Sequence, residues 1–249
     1  MDLLLECRDR LRPIVEEAGL LDGPVVVTAG PLPPGQAIGR PRREDFLLRG
    51  REVMVEATFQ RSRGQAYAAV PAAFQGMLAE ALVLDLEVVA NRAIFTAAAN
   101  AVLHHLGRIS RTQHCRDDGP EQCALQAAEQ LWQESPAANV GLVGYQPALL
   151  EHLARRFGTG RVRVTDLGTE NVGHERCGVL VRDGALHTAA LVEWADLLLV
   201  TGSTAVNGTA GAILSRARQR GIEPIFFGVT AAGPAHLLDL RRLCPEGQG

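Results

Sequence analysis

The stretch "LLLVTGSTAVNGTAGAIL", Leu197–Leu214, decides the fold. Four apolar residues run straight into Thr201-Gly202-Ser203-Thr204. A second small-residue cluster, Asn207-Gly208-Thr209, precedes a segment with helical patterning. A continuous apolar run of this length bounded by turn residues reads as a fully buried strand. Strand, turn and helix in that order make half of a parallel β–α unit.

Outward from that unit the same grammar repeats. "VGLV" (Val140–Val143) predicts a strand, Pro147–Phe157 a helix, and "RVRVTDL" a second strand. After an irregular stretch, "ALVEWAD" predicts a short helix leading into the third strand, "LLLV". A helix from about Gly208 to Arg220 and a last strand, "PIFFGV", complete the pattern of a parallel sheet with helices on both faces. This Rossmann-like α/β domain is predicted over residues 137–249.

Residues 1–136 follow different rules and predict a smaller α+β domain. Leu4, Leu5, Leu11, Ile14 and Val15 recur at helical spacing, with Gly19 as the stop. "VVVT" (Val25–Thr28) predicts a strand, and "AGPLPPGQAIGRP" after it a surface loop. "VMVEATF" and "QAYAAV" flank "QRSRG" as a β-hairpin. From Phe74 onward the pattern reads as helical. It includes a long helix from about Glu87 to Leu106, whose alanines permit close packing, and a helix capped at Asp118 with Pro120 in its first turn.

Composition excludes several functions. The chain has 249 residues, 47% of them hydrophobic, with a net charge of −3 and a pI near 6.2. It shows no basic stripe, so nucleic acid is not the expected partner. Every basic residue is arginine, for the sequence contains no lysine. That rules out a lysine Schiff base, a lysine nucleophile and a P-loop lysine. Five scattered cysteines (Cys7, Cys115, Cys123, Cys177, Cys244) do not suggest a disulfide framework. With no signal-peptide core near the start, and no apolar run near the ~20 residues needed to span a bilayer, a soluble cytoplasmic protein is expected, with no membrane partner. Homodimerisation is a general prior only.

Ligands of open parallel sheets sit beyond the carboxyl ends of the strands, and three features fall there. "GLVGYQP" places Gly144 and Tyr145 before a helix. Asp166, with Asn171 close behind, ends the second strand, where a dinucleotide site would hold a ribose hydroxyl. The first turn lacks G-x-G-x-x-G, however, and an aspartate at a strand end also serves as a turn residue. The third turn, Thr201, Gly202, Ser203, Thr204, Asn207, Gly208 and Thr209, would offer hydroxyls and backbone N–H groups to a small anionic molecule. Asn207 as a plain helix cap is the competing reading. It does not account for the neighbouring hydroxyls. Asn100, an amide among alanines, needs a partner if buried and is a candidate for the interdomain cleft.

"RTQHCRDDGPEQCA" carries His114, Cys115 and Cys123, ligand types suited to zinc, copper or iron. The C-x7-C spacing is not a standard zinc spacing and leaves a tetrahedral site incomplete. His174 and Cys177 could add ligands only if the fold brings them near. Otherwise Cys123 is buried on a helix face and Cys115 sits in a loop. The adjacent His104 and His105 diverge by about 100° on a helix and cannot share a metal.

"VGLVGYQPALLEHLARRFG", "VTDLGTENVG" and "EWADLLLVTGSTAVNGT" together resemble the Rossmann-like domain of a bacterial and archaeal family named for heavy-metal chelation. In that family a smaller domain similar to the N-terminal domain of enolase comes first, and "GQAYAA" and "RAIFTAAANAVL" fit it. The resemblance implies a ligand site in the cleft between the domains and little beyond it; action on a metal chelator or its precursor belongs to the first of the functions that follow. Enolase chemistry does not carry over to a chain without lysine or barrel. Three functions compete. One is a small-molecule-binding protein or enzyme using the cleft, with Asp166, Asn171, His174 or a cysteine for proton transfer. The second is a direct binder of a transition metal or metal–chelator complex through His114, Cys115 and Cys123. The third is a nucleotide- or S-adenosylmethionine-dependent enzyme using Asp166.

Overall fold

The computed structural model describes residues 2–28 and 53–249. The surface loop expected at residues 29–41 lies outside the described residues.

Helix α1 (Leu3–Glu17) begins where Asp2 accepts the backbone N–H groups of Leu4 and Leu5, at 2.9 and 3.4 Å. It ends at Gly19, whose φ of +66° terminates the helix as expected. Strands β1 (Pro24–Thr28), β2 (Val53–Phe59), β3 (Ser62–Ala68) and β4 (Phe74–Met77) form an antiparallel sheet in the order β3-β2-β1-β4. The predicted hairpin is present with a tighter turn. Gln60 and Arg61 alone connect the strands, and Ser62, Arg63 and Gly64 pair with Phe59, Thr58 and Ala57 in the ladder. Helix does not begin at Phe74: Phe74–Met77 pairs with β1, and α2 (Leu78–Leu82) starts only after it. Phe74 is half-buried against the core and Met77 is exposed, so this four-residue strand shows no apolar alternation to mark it.

Helix α3 (Val89–His105) lies across this sheet. Gly64 permits the contact: a Cβ there would sit 2.3 Å from the backbone N of Ala101 and 2.5 Å from the carbonyl O of Ala97. His104 and His105 diverge as the helix geometry requires. His105 meets Phe59 edge-on, and His104 lies 3.4 Å from the Thr112 hydroxyl.

Helix α4 (Gly119–Glu134) leads into a seven-stranded sheet. Its strands are β5 (Val140–Val143), β6 (Val162–Asp166), β7 (Glu175–Arg176), β8 (Val179–Asp183), β9 (Leu197–Thr201), β10 (Ile225–Phe227) and β11 (Arg241–Leu243). Their order is β11-β10-β9-β5-β6-β8-β7, all parallel except the β7–β8 pair. The connecting helices are α5 (Pro147–Phe157), α6 (Gly184–Trp194), α7 (Ser203–Val206), α8 (Ala210–Gln219) and α9 (Ala232–Leu237). The stretch read as irregular holds β7 and β8, and α6 is a full 11-residue helix. The single helix expected from Gly208 is preceded by the extra turn α7.

Side chains alternate across this sheet with the strand period of two. Val140, Leu142, Leu199 and Ile225 face α4 and α5, which supply Leu131, Leu150 and Phe157. Val143, Leu198, Val200 and Phe226 face the other way, into a core shared with α6, α8 and the first sheet, including Val55, Phe59 and Phe95. No described helix is long and apolar enough to cross a membrane.

Candidate functional site

Strand order locates the crevice. From central β5 the chain moves outward through β6 to β8, then returns to the other side of β5 as β9 and continues to β10 and β11. The carboxyl ends of β5 and β9 therefore flank a topological switch point, where successive connections diverge and leave a gap. A cavity of about 730 Å³ occupies that place, lined by the turns after β5, β6 and β9. Tyr67, Ala68 and Ala69 at the end of β3, together with His114, close it from the first sheet's side.

The first and third turns touch. Gly144 has φ +91°, and a Cβ on it would lie 2.4 Å from Cγ2 of Thr201. Its N–H donates to the Thr165 carbonyl at 2.8 Å, so the chain bends away from the sheet immediately after β5. Only glycine suits both the backbone angle and the contact. Gly202 is held as closely on its other side, since a Cβ there would lie 2.5 Å from the backbone N of Ala231.

Asp166 joins the first turn to the second. Its Oδ2 accepts the Tyr145 N–H at 2.7 Å, and its Oδ1 accepts the Gly168 N–H at 2.7 Å and the Asn171 amide at 3.1 Å. Three of about four acceptor sites on the carboxylate are thus engaged, which is the turn-residue role and leaves little for a ribose diol. Asn171 is buried behind it and does not line the cavity.

In the third turn, Thr204 Oγ1 donates to the Thr201 carbonyl at 2.7 Å, and the Thr201 and Ser203 hydroxyls lie 3.2 Å apart. Asn207 Oδ1 accepts the Thr209 N–H at 3.1 Å and its hydroxyl at 2.7 Å, so Asn207 does shape the entry to α8. Thr201, Gly202, Ser203, Thr204, Asn207 and Thr209 all line the cavity. Gly208, at φ +81°, faces Arg92 instead.

Asn100 lies elsewhere. It is fully buried, its Nδ2 donating to the Gln65 and Val229 carbonyls at 2.9 and 3.1 Å and its Oδ1 accepting the Gly233 N–H at 2.6 Å. It has the partners a buried amide requires and ties α3 to both halves of the chain.

The expected metal set does not assemble. His114 faces the cavity, edge-on to Tyr67 with ring centroids 5.8 Å apart. Its Nδ1 lies 2.5 Å from the Cys115 carbonyl, and its backbone N–H donates to Gln65 Oε1 at 2.7 Å. Cys115 is turned into the protein and meets Cys123, which also interacts with Cys244. Among the described residues no three or more His, Cys, Asp or Glu side chains surround a point that could hold a metal ion. Adjacency in sequence misleads here because His114 and Cys115 leave the same extended segment on opposite sides.

Two residues that matter to the site carried only weak sequence signals. Tyr67 lies in the hairpin, and only the strand order shows that β3 ends over the crevice. Arg92 is 6% exposed and binds the Ala205 and Val206 carbonyls at 2.7 and 2.8 Å, closing the end of α7 behind the third turn. Its Nη1 reaches Asp2 at 2.8 Å and the Leu86 carbonyl at 3.1 Å. An arginine opening an alanine-rich helix was the available clue, because a buried guanidinium must find partners.

Fold and crevice define a two-sheet α/β protein with its candidate site at the switch point of the parallel sheet. Residues 126–235, from the middle of α4 into α9 and including all three turns, match the DUF364 family, described as "Putative heavy-metal chelation". Among solved structures, the chain is similar to a DUF364-family protein of unknown function from Pyrococcus horikoshii. Identity is 16% and the TM-score 0.51, over 90% of this chain and 80% of that one. A second structure of that family, from Desulfitobacterium hafniense, is 15% identical with a TM-score of 0.48, over 75% of this chain and 72% of the other. The first of these likenesses shows a shared fold extending over both sheets. No curated protein matches the chain.

Proposed function

We propose that the chain binds a small anionic molecule in the switch-point crevice. The observation that carries this reading is a cavity of about 730 Å³ at the one edge of the sheet where chain connections diverge, with walls from both halves of the chain. Val143, Val192, Val206 and Ile213 give it apolar walls. Thr201 and Ser203 set hydroxyls on one side, and the first N–H groups of a helical turn have no partner within the helix. Arg216 stands at the wall, ion-paired with Glu193 at 3.0 Å. A carboxylate on an apolar body is the chemistry these groups suit. The description of the matching family favours a metal chelator or its precursor, the metal then being held by the chelator rather than by protein thiols.

Native mass spectrometry and thermal shift test this on the purified chain, against a panel of small polycarboxylate chelators with and without metal, simple carboxylates, and adenosine cofactors. A panel carboxylate should raise the melting temperature, and Ala212→Trp, which fills the cavity from α8, should abolish the rise. A response to adenosine compounds alone would replace this reading with a nucleotide site. A carboxylate response unchanged in the Ala212→Trp variant would place binding outside the crevice and overturn the proposal.

A further inference from the structure

Away from the crevice, three thiols from three separate segments meet. Cys115 comes from the loop before α4, Cys123 from the first turns of α4, and Cys244 from the residue after β11. The Cys123 thiol interacts with both Cys115 and Cys244. Cys115 and Cys244 are buried, at 7% and 6% exposure, while Cys123 is partly open to solvent. The packing is close: a Cβ at Gly119 would lie 2.8 Å from Cys115 Cβ, and one at Gly247 2.9 Å from Cys244 Sγ.

Two readings of such a cluster are chemically distinct. A soft metal needs several donors directed at one empty point. Among the described residues no such group of three exists. What the contacts provide is a central thiol with a neighbour on either side, which is a pairwise arrangement. A further group fits it. The Arg242 charge acts on Cys244 and Cys123, and its Nη1 is buried without a hydrogen-bond partner among the described residues. The interaction with Cys123 and burial push the Cys244 thiol well up, and the Arg242 charge offsets only part of that.

We propose that Cys123 and Cys244 form an oxidisable dithiol, with Cys115 as the alternative partner of Cys123. The oxidant is a small-molecule disulfide such as oxidised glutathione. Cys123, the most accessible of the three, loses its proton and attacks one sulfur of the oxidant. The S–S bond breaks and one small thiolate leaves, taking up a proton. Cys244 then loses its proton and attacks Cys123 Sγ in the mixed disulfide, and the second small thiolate leaves and takes up a proton; burial makes this step slow as well. The protein loses two electrons and two protons, and the oxidant becomes two thiols. The interaction with Cys115 and burial push the Cys123 thiol up to about 11, partly offset by the interaction with Cys244, so the first attack is slow at neutral pH.

The product would fasten the C-terminal segment to α4. That segment already pairs with the strand-like stretch before His114, through Gln113 N to Gln248 O and Gln248 N to Gln113 O, both at 2.8 Å. Cys115 in turn contacts the His114 ring through its carbonyl. The dithiol therefore sits at the back of the loop that presents His114 to the crevice. Its formation does not depend on any ligand being bound there.

The test is equilibration of the native, reduced full-length chain with mixtures of oxidised and reduced glutathione, followed by acid quench, alkylation and peptide mass spectrometry. The Cys177→Ser background removes the exposed thiol. The expected product has two fewer alkylatable thiols, no retained glutathione, and a crosslink between the Cys123 and Cys244 peptides. Cys244→Ser should give the Cys115–Cys123 crosslink instead, and Cys123→Ser none. All thiols remaining alkylatable, stable glutathione adducts without a crosslink, or a crosslink formed only in denaturant would each overturn the proposal.

Discussion

Asp166 lines the crevice and also clamps two of its turns together. It accepts three hydrogen bonds and fixes the Tyr145 turn against the Gly168 turn. Bonds to a carboxylate contribute more than neutral ones, about 1.5–3 kcal/mol each before non-additivity. Asp166→Ala should therefore lower the unfolding free energy by about 2–4 kcal/mol, read from denaturant titration. Asp166→Asn, which sets an amide NH₂ against one of the present donors, should lose part of that. Unchanged stability in both would return Asp166 to a purely ligand-facing role. Gly144 makes a second case at this scale. Gly144→Ala forces a φ near +91° on a residue with a side chain and drives its Cβ into Thr201, for an expected cost of about 2–4 kcal/mol. Thr201→Ala beside it should restore only part, because the Thr201 Cβ itself would remain 2.8 Å away. The sequence pointed to both residues, but not to their work: a hydrogen-bond acceptor count and a close contact between turns are properties of folded geometry.

Among the elements, those that could be read were the ones with buried apolar runs or helical periods. Val140–Val143, Leu197–Thr201 and Ile225–Phe227 lie near the middle of the large sheet and bury side chains on both faces, so apolarity alone marks them. The strands that escaped notice are short or lie toward the edges. β7 has only Glu175 and Arg176, both exposed, and β11 opens with two arginines. β4 has only four residues, none of them fully buried, and β8 alternates buried and exposed positions over just five residues. Without β8 and β11 the order of strands cannot be drawn, and the switch point follows from that order. Helix α3 is legible as a helix, and its small residues permit close packing. The depth of that packing gives the third prediction. Asn100→Ala would strand the Gln65 and Val229 carbonyls and the Gly233 N–H in a fully buried setting. Unsatisfied buried groups cost about 1–3 kcal/mol each, so the variant should fall among the most destabilised single substitutions in the chain. Calorimetry checks it, and a Tm within a degree or two of the parent would show that water replaces the amide.

At the scale of the molecule, two sheets share one apolar core. Residues of α1, β1, β2 and α3 pack in the same cluster as Val143, Leu198, Val200 and Phe226 of the large sheet, while α4 covers that sheet's opposite face. Arg92 and Asn100 add polar ties across the same boundary. A division of the chain near residue 137 then marks a change of topology, and the packing argues that it does not mark a change of folding unit. Cutting there would uncover the second face of the sheet at Val200 and on α7 at Val206, and strip α4 from the first, leaving apolar surface on both sides. The full chain is expected to unfold in one calorimetric transition with matching calorimetric and van't Hoff enthalpies. Residues 137–249 alone should retain helical circular dichroism but lose fixed packing, bind a hydrophobic dye, and unfold without a sharp transition. Trp194 reports on this directly, since its ring lies under the Arg163 guanidinium at 4.0 Å and should move to a solvated emission in the fragment. A fragment with parent-like Trp194 emission and its own cooperative transition would establish residue 137 as a folding boundary, and the crevice would then be the meeting place of two independently stable domains.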